Sequence, residues 1–96
     1  MADLVITRPN PHGLEAATLA VEAVAERLQR EFGLATRADG EALLVEGHGV
    51  RGRLEASAEA IRVEAKLGLR ARPFRRLLRR EIEAELDRFA ATPPTA

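Results

Sequence analysis

The segment from Ile61 to Phe89 constrains the fold of this chain more than any other. Apolar and charged residues alternate as far as Leu67, which is the period of a strand with one buried face and one face in water. A connector between Gly68 and Pro73 follows, and beyond it apolar residues recur at steps of three and four, the period of an amphipathic helix. A strand and a helix joined this closely predict a mixed fold in which both elements bury one apolar side.

Both periods recur in the rest of the chain, where turn residues separate the elements. The predicted strands are Asp3–Thr7, Leu34–Ala38, Ala42–Glu46, Val50–Ala56 and Ile61–Leu67, and the predicted helices are Leu14–Phe32 and Pro73–Phe89. The predicted breaks are the connector Arg8–Gly13, which contains two prolines, and the turns at Asp39-Gly40, Gly47–Gly49 and Ser57–Glu59. Because the connections between the later strands are short, neighbouring strands must run antiparallel.

These elements predict an α+β fold. It consists of an antiparallel sheet of four to five strands with two helices packed on one face, in the order β-α-β-β-β-β-α. In an alternative arrangement the sheet curls around the C-terminal helix and leaves a cavity between them. We expect residues 1–90 to form a single domain and residues 91–96, which include Pro93 and Pro94, to form a disordered tail.

The helical period also predicts which side chains are buried. The apolar stripe of the first helix is Leu14, Ala17, Val21, Val24, Leu28 and Phe32, and that of the second is Phe74, Leu77, Leu78, Ile82, Leu86 and Phe89. Four carboxylates alternate along the second helix: Glu81, Glu83, Glu85 and Asp87. Their spacing favours a helix face in water over a pair of groups working as acid and base.

Composition narrows the possible functions. There is no cysteine, which excludes disulfides, thiol catalysis and cysteine-ligated metals. No apolar run approaches the ~20 residues that span a bilayer. The first residues lack the basic and apolar regions of a secretory signal, so we expect a cytoplasmic protein.

Charge is unevenly distributed although the formal net charge is zero. Residues 1–50 contain four basic and eight acidic side chains, a net charge of −4, whereas residues 51–96 contain eleven and seven, a net charge of +4. A neutral total argues against nucleic-acid binding, which usually requires a strongly basic domain. The small core and the charge polarity predict a homo-oligomer, with a homodimer as the simplest form.

Catalytic and ligand-binding motifs are weak. Ser57 is the only serine, and it lies in a turn without the G-x-S-x-G elbow. His12 and His48 are in separate loops without metal-ligand spacing, and the glycine-rich run Gly47–Gly52 lacks the G-K-[ST] of a phosphate loop. We therefore expect no enzymatic activity, no metal and no cofactor.

The strongest candidate for a binding site is a group of basic residues. Seven basic side chains and no acid fall between Lys66 and Arg80. The predicted binding residues, which we call the basic corner, are Arg70, Arg72, Arg75, Arg76 and Arg79. Arginines at a helix N-terminus can bind phosphate or carboxylate with help from free backbone donors. The alternative is an ordinary solvated face, in which Arg79 pairs with Glu83 one helical turn later.

The same region carries a family resemblance. Val63, Ala65, Leu67 and Gly68 end a strand, Pro73-Phe74 follow a connector, and the helix contains Ile82-Glu83 and Glu85-Leu86; His12-Gly13-Leu14 and Phe32-Gly33-Leu34 complete the pattern. The chain resembles the polyhydroxyalkanoic acid system proteins, small bacterial proteins named for genes near those of polyester storage granules. It departs from them at Arg70-Ala71-Arg72, where the family pattern is more apolar.

The resemblance implies a setting, polyhydroxyalkanoate storage in a bacterial cytoplasm, and no reaction. Two functions fit this setting. The protein is an interaction module that binds a granule surface or a granule-associated protein, or it is a small carrier that holds a hydrophobic or acyl ligand between the sheet and the C-terminal helix.

Overall fold

The computed structural model describes residues 2–91. Its elements are β1 (Leu4–Pro9), α1 (Leu14–Phe32), β2 (Ala35–Asp39), β3 (Ala42–Gly47), β4 (Val50–Ala56), β5 (Ala60–Leu67) and α2 (Arg75–Ala91), with a 3-10 helix at Arg72–Phe74. The predicted α+β class and the order β-α-β-β-β-β-α are confirmed.

One antiparallel sheet contains all five strands in the order β1-β5-β4-β3-β2. The first strand therefore lies at one edge and β2 at the other, and the 19-residue helix α1 carries the chain across the sheet between them. Such a helix is about 28 Å long, enough to cross five strands spaced ~4.8 Å apart. From β2 the chain returns strand by strand, so the end of β5 comes back beside the start of β1.

The core lies between one face of the sheet and both helices, as predicted. Its largest fully buried side chains are Leu4, Ile6, Leu34, Leu54, Ile61, Leu78, Leu86, Val24 and Val63. Among the described residues, the space between the sheet and the helices contains a void of about 10 Å³, room for about one water molecule. Among residues 2–91 this space is therefore filled by side chains, unlike the cavity expected if the sheet curled around α2.

Several element boundaries differ from the prediction by one or two residues. Strand β1 continues through Pro9, which pairs with Ala60, because β1 is an edge strand and a residue at its end tolerates the missing amide donor. The β2–β3 turn is Gly40-Glu41 rather than Asp39-Gly40, since Gly40 supplies the positive φ that the first turn position requires.

Helix α2 begins at Arg75 rather than at Pro73, because Pro73 belongs to the preceding 3-10 helix. Strand β2 also begins and ends one residue later than predicted. At the C-terminus, Ala91 is the last residue of α2, and the remainder of the predicted tail, 92–96, lies outside the described residues.

The predicted apolar stripes are only partly buried. Leu14, Phe74 and Leu77 are exposed, although each was assigned to a buried stripe. Ala20 and Ala25 are buried in their place on α1. The two helices also pack against each other, so the buried sector of each helix faces both the sheet and the other helix. Phe74 lies in the 3-10 helix before α2.

Candidate functional site

The connector between β5 and α2 is held to the sheet by its backbone. The Gly68 amide donates to the Gly49 carbonyl at 2.8 Å, and the amides of Ala71 and Arg72 donate to the Gly68 carbonyl at 2.9 and 3.1 Å. The Ala71 side chain is buried against the β3–β4 turn. These contacts hold the intervening Leu69 outward at the tip of the turn.

All five residues of the basic corner are exposed. Arg70 lies in the turn and Arg72 in the 3-10 helix, and the other three lie in the first two turns of α2. The Nε of Arg79 contacts Oε1 of Glu83 at 2.7 Å, as the spacing predicted. The other four form no ion pair with any residue between 2 and 91. The corner therefore presents positive charge that its own fold does not neutralise.

Asp3 interacts electrostatically with Arg72 of the corner. Its Oδ2 accepts a hydrogen bond of 2.8 Å from the Leu67 amide, which is the main cause of a lowered pKa for this carboxyl. The positive charges of Arg72 and Lys66 lower the pKa of Asp3 further. The Asp3 carboxylate thus links the segment before β1 to the end of β5, next to the connector that carries Arg70 and Arg72.

Two backbone donors near the start of α2 already form hydrogen bonds within the fold. The Phe74 amide donates to the Ala71 carbonyl at 2.9 Å, the Arg75 amide donates to the Arg72 carbonyl, and Pro73 has no amide hydrogen. The 3-10 helix thus uses two of the backbone donors that an anion could otherwise contact at the start of α2. Guanidinium groups are what this surface offers to an anion.

Large apolar side chains lie among the arginines. Leu69 is 82% exposed, Phe74 54% and Leu77 37%. Sequence reasoning missed this feature, because it placed Phe74 and Leu77 in the buried stripe and gave Leu69 no role. The available signal was the position of Leu69, a large apolar residue in a turn, where burial is difficult. The apolar residues lacking at Arg70-Ala71-Arg72 are therefore present on both sides of that tripeptide.

The acids of α2 are paired with other elements, so the predicted solvated face is wrong in part. Arg27 of α1 contacts Glu81 at 2.7 Å and Glu85 at 3.0 Å, and all three side chains are largely buried. Arg8 of β1 contacts Glu83 at 3.2 Å and Asp87 at 3.9 Å. These acids form ion pairs because α2 packs between α1 and β1, and each of those elements provides an arginine.

The remaining polar candidates serve local structure. The Ser57 hydroxyl accepts hydrogen bonds from the amides of Glu59 and Ala60 within its own turn. The His12 ring packs edge-on against Phe89 with a centroid distance of 5.0 Å. His48 occupies the β3–β4 turn with a φ of 51°. Within residues 2–91, no group of three or more metal-ligating side chains comes together.

Comparisons with known proteins identify one match. A family model described as "Putative polyhydroxyalkanoic acid system protein" matches residues 4–89, which is most of the chain. No curated protein and no solved structure matches the chain. In the part of the chain that the structure describes, neither helix is both long enough and apolar enough to cross a bilayer.

Proposed function

The chain belongs to the polyhydroxyalkanoic acid system family, and from that premise we propose that it is a non-enzymatic accessory protein of polyhydroxyalkanoate storage. It binds through the basic corner to granules or to granule-associated proteins in the cytoplasm. The observation that carries this proposal is the charge of the corner, where four arginines lack an ion-pair partner among residues 2–91. The family description supplies the setting and names no reaction.

The physical support is a local positive potential on a protein of zero net charge. Arg72, Arg75 and Arg76 lie within five residues of one another, so they act together within about one Debye length, ~8 Å at physiological ionic strength. Clustered charge of one sign attracts an anionic partner and accelerates the encounter. Charges elsewhere on the molecule are mostly compensated, as in the pairs of Arg53 with Asp39 and Glu55.

A carrier function has less support. A hydrophobic or acyl ligand between the sheet and α2 would require an enclosed volume far larger than the void of about 10 Å³. Opening such a volume would separate Leu78 and Ile82 from the sheet, at the cost of core packing. Native mass spectrometry of protein taken from polymer-producing cells tests the carrier directly, because a retained ligand would add to the mass.

Association of copies is part of the proposal. All five residues of the edge strand β2 are exposed, which leaves an edge available for pairing. A groove of about 290 Å³ between α1 and the β2–β3 hairpin is lined by Leu14 and by the carboxylates of Glu22 and Glu41, so its charge is opposite to that of the basic corner. Sedimentation equilibrium at tens of micromolar should show a species heavier than the 10.5 kDa chain. A monomer at that concentration would contradict association.

The central test is co-purification with granules. Changing Arg72, Arg75 and Arg76 together to Gln should abolish recovery of the protein with granules or granule proteins, and added salt should weaken the wild-type contact. Lysates with and without stored polymer show whether the contact depends on granules.

A matched control removes the same charge elsewhere. Changing Arg37, Arg53 and Arg62 to Gln also lowers the net charge by three, at exposed positions of β2, β4 and β5. Arg53 and Arg62, unlike the arginines to be changed in the corner, pair with acids of the sheet. This control should co-purify like the wild type. If the corner variant is recovered at low salt as well as the wild type, the corner is only a solvated face and the proposal fails.

A further inference from the structure

The basic corner also exposes large apolar side chains. Leu69 follows directly on Gly68 and is flanked by Arg70, and it is the most exposed large apolar side chain of the described residues at 82%. Phe74, at 54%, lies two residues after Arg72. An exposed surface that combines apolar side chains with arginines suits a partner that is partly apolar and partly anionic.

The turn that carries Leu69 is held in place before any partner binds. The backbone bonds from Gly68, Ala71 and Arg72, together with the burial of Ala71, fix the course of the turn. Leu69 is therefore presented outward without a change of fold. A turn whose backbone is already fixed loses little backbone conformational freedom on binding.

The form of the cationic surface indicates what kind of anion it meets. A single phosphate is usually held by converging backbone amides, and here the amides of Phe74 and Arg75 already bond to carbonyls. The arginine side chains are long and exposed, so they can reach several anionic groups spread over a plane. Their stems can lie against apolar material while the guanidinium groups stay at its polar boundary.

Helix α2 continues the same surface. Leu77 lies three residues after Phe74 and three before Arg80, and steps of three share a helix face. Arg80 is exposed and forms no ion pair with any residue between 2 and 91. Apolar and cationic side chains therefore alternate across the surface, as in helices that bind at the boundary of an anionic lipid layer.

From this arrangement we infer that the partner of the basic corner is the surface of an anionic amphiphile layer. Leu69 and Phe74 enter the apolar side of the layer, and the arginines contact its anionic head groups. The inference rests on the proposed function and specifies its partner as a lipid-like surface rather than a protein.

The test uses the purified full chain and two kinds of vesicles. One is phosphatidylcholine alone, and the other contains equal amounts of phosphatidylcholine and phosphatidylglycerol. Co-sedimentation should detect binding to the anionic vesicles only, and added salt should weaken it. Each arginine near such a surface contributes about fivefold in affinity, so changing Arg72, Arg75 and Arg76 to Gln should reduce binding about 100-fold.

The apolar contribution is tested at constant charge. The double variant Leu69→Ser, Phe74→Ser should bind the anionic vesicles at least about tenfold more weakly, because two apolar side chains no longer enter the layer. Its matched control is Val5→Ser, Leu19→Ser, which removes one apolar side chain of β1 and one of α1 that are 41% and 61% exposed. The control should bind like the wild type. Thermal unfolding verifies that all variants are folded.

The outcomes separate this inference from the proposed function. Granule co-purification without binding to anionic vesicles would overturn the inference and leave the proposed function standing with an acidic protein as partner. Unchanged vesicle binding by Leu69→Ser, Phe74→Ser would overturn insertion. Vesicle binding with the predicted losses, but no recovery with granules, would support the inference while the proposed function fails.

Discussion

In the first turns of α2, Arg75 and Arg76 have no ion-pair partner between residues 2 and 91, whereas farther along the helix Glu81 and Glu85 share Arg27 of α1. The two parts of one helix, which we call its N-terminal half (residues 75–80) and its C-terminal half (residues 81–91), thus contain charges in different situations. In the C-terminal half, acidic side chains join the helix to its neighbours. In the N-terminal half the arginines face water, and of these only Arg79 reaches an acid, Glu83, among residues 2–91.

The difference shows which charges the fold depends on. Glu81 and Glu85 are largely shielded from solvent, so leaving them unpaired would carry a desolvation cost. Neutralising Arg75 or Arg76 leaves no shielded charge behind. Substitutions in the C-terminal half of α2 and its ion-pair partners should therefore change stability, whereas substitutions in the N-terminal half should change binding. The following predictions test that separation.

The largest effect on stability is expected at Leu78, which is 2% exposed in the core beside the half-exposed Leu77. Leu78→Ala should lower the free energy of unfolding by about 2–5 kcal/mol, since it removes buried methyl groups and leaves a cavity. Leu77→Ala should cost well under half as much. Urea unfolding of the two adjacent variants measures the contrast, and equal losses would show that α2 packs in a different rotation.

The next effect is expected at Arg27. Arg27→Met keeps the apolar stem, leaves Glu81 without its partner and leaves Glu85 with only the 3.8 Å contact to Arg88, which should cost about 1–3 kcal/mol of unfolding free energy. The matched change Arg76→Met should cost little, because Arg76 has no partner to lose among residues 2–91.

Coupling between Arg27 and its acids sharpens this prediction. Adding Glu81→Gln and Glu85→Gln to Arg27→Met removes the uncompensated carboxylates and should restore most of the lost stability. If the combined variant is less stable than Arg27→Met, the carboxylates do not depend on Arg27 and the comparison between the two halves of α2 breaks down.

A smaller effect is expected when the corner is neutralised. The change of Arg72, Arg75 and Arg76 to Gln should alter the unfolding free energy by no more than about 0.5 kcal/mol, and toward stabilisation at low salt, because repulsion between the guanidinium groups disappears. Thermal unfolding at low and high salt measures it. Destabilisation as large as that of Arg27→Met would mean that the corner arginines stabilise the fold.

The smallest effect concerns Asp3, whose pKa is lowered by the Leu67 amide. A carboxyl with a lower pKa in the folded state contributes stability at neutral pH, and this contribution is lost as the pH falls through the folded-state value. Asp3→Asn should therefore be less stable than the wild type at pH 7, and the gap should narrow below about pH 4. A gap that widens in acid would contradict the role of the Leu67 bond.

The α+β class and the element order could be predicted from local patterns. Alternation in Val50–Ala56 and in Ile61–Leu67 shows a sheet with one buried face, and the stripe from Ala17 to Leu28 shows a helix on it. The arginines of the corner were also identifiable, because a run of basic residues is visible in the sequence alone. Their exposure agrees with that interpretation, while their binding role is a proposal.

Other features depend on which elements meet in space. The sequence by itself determined the strands, the two helices and the charges, since period, glycine and proline act over a few residues. Only the tertiary structure decided that Arg27 holds Glu81 and Glu85 and that Leu77 and Phe74 stay outside the core. A helical stripe is about 100° wide or more, so periodicity leaves open which edge of it is covered. That choice was made by the position of α2 between β1 and α1, which depends on contacts between residues far apart in the chain.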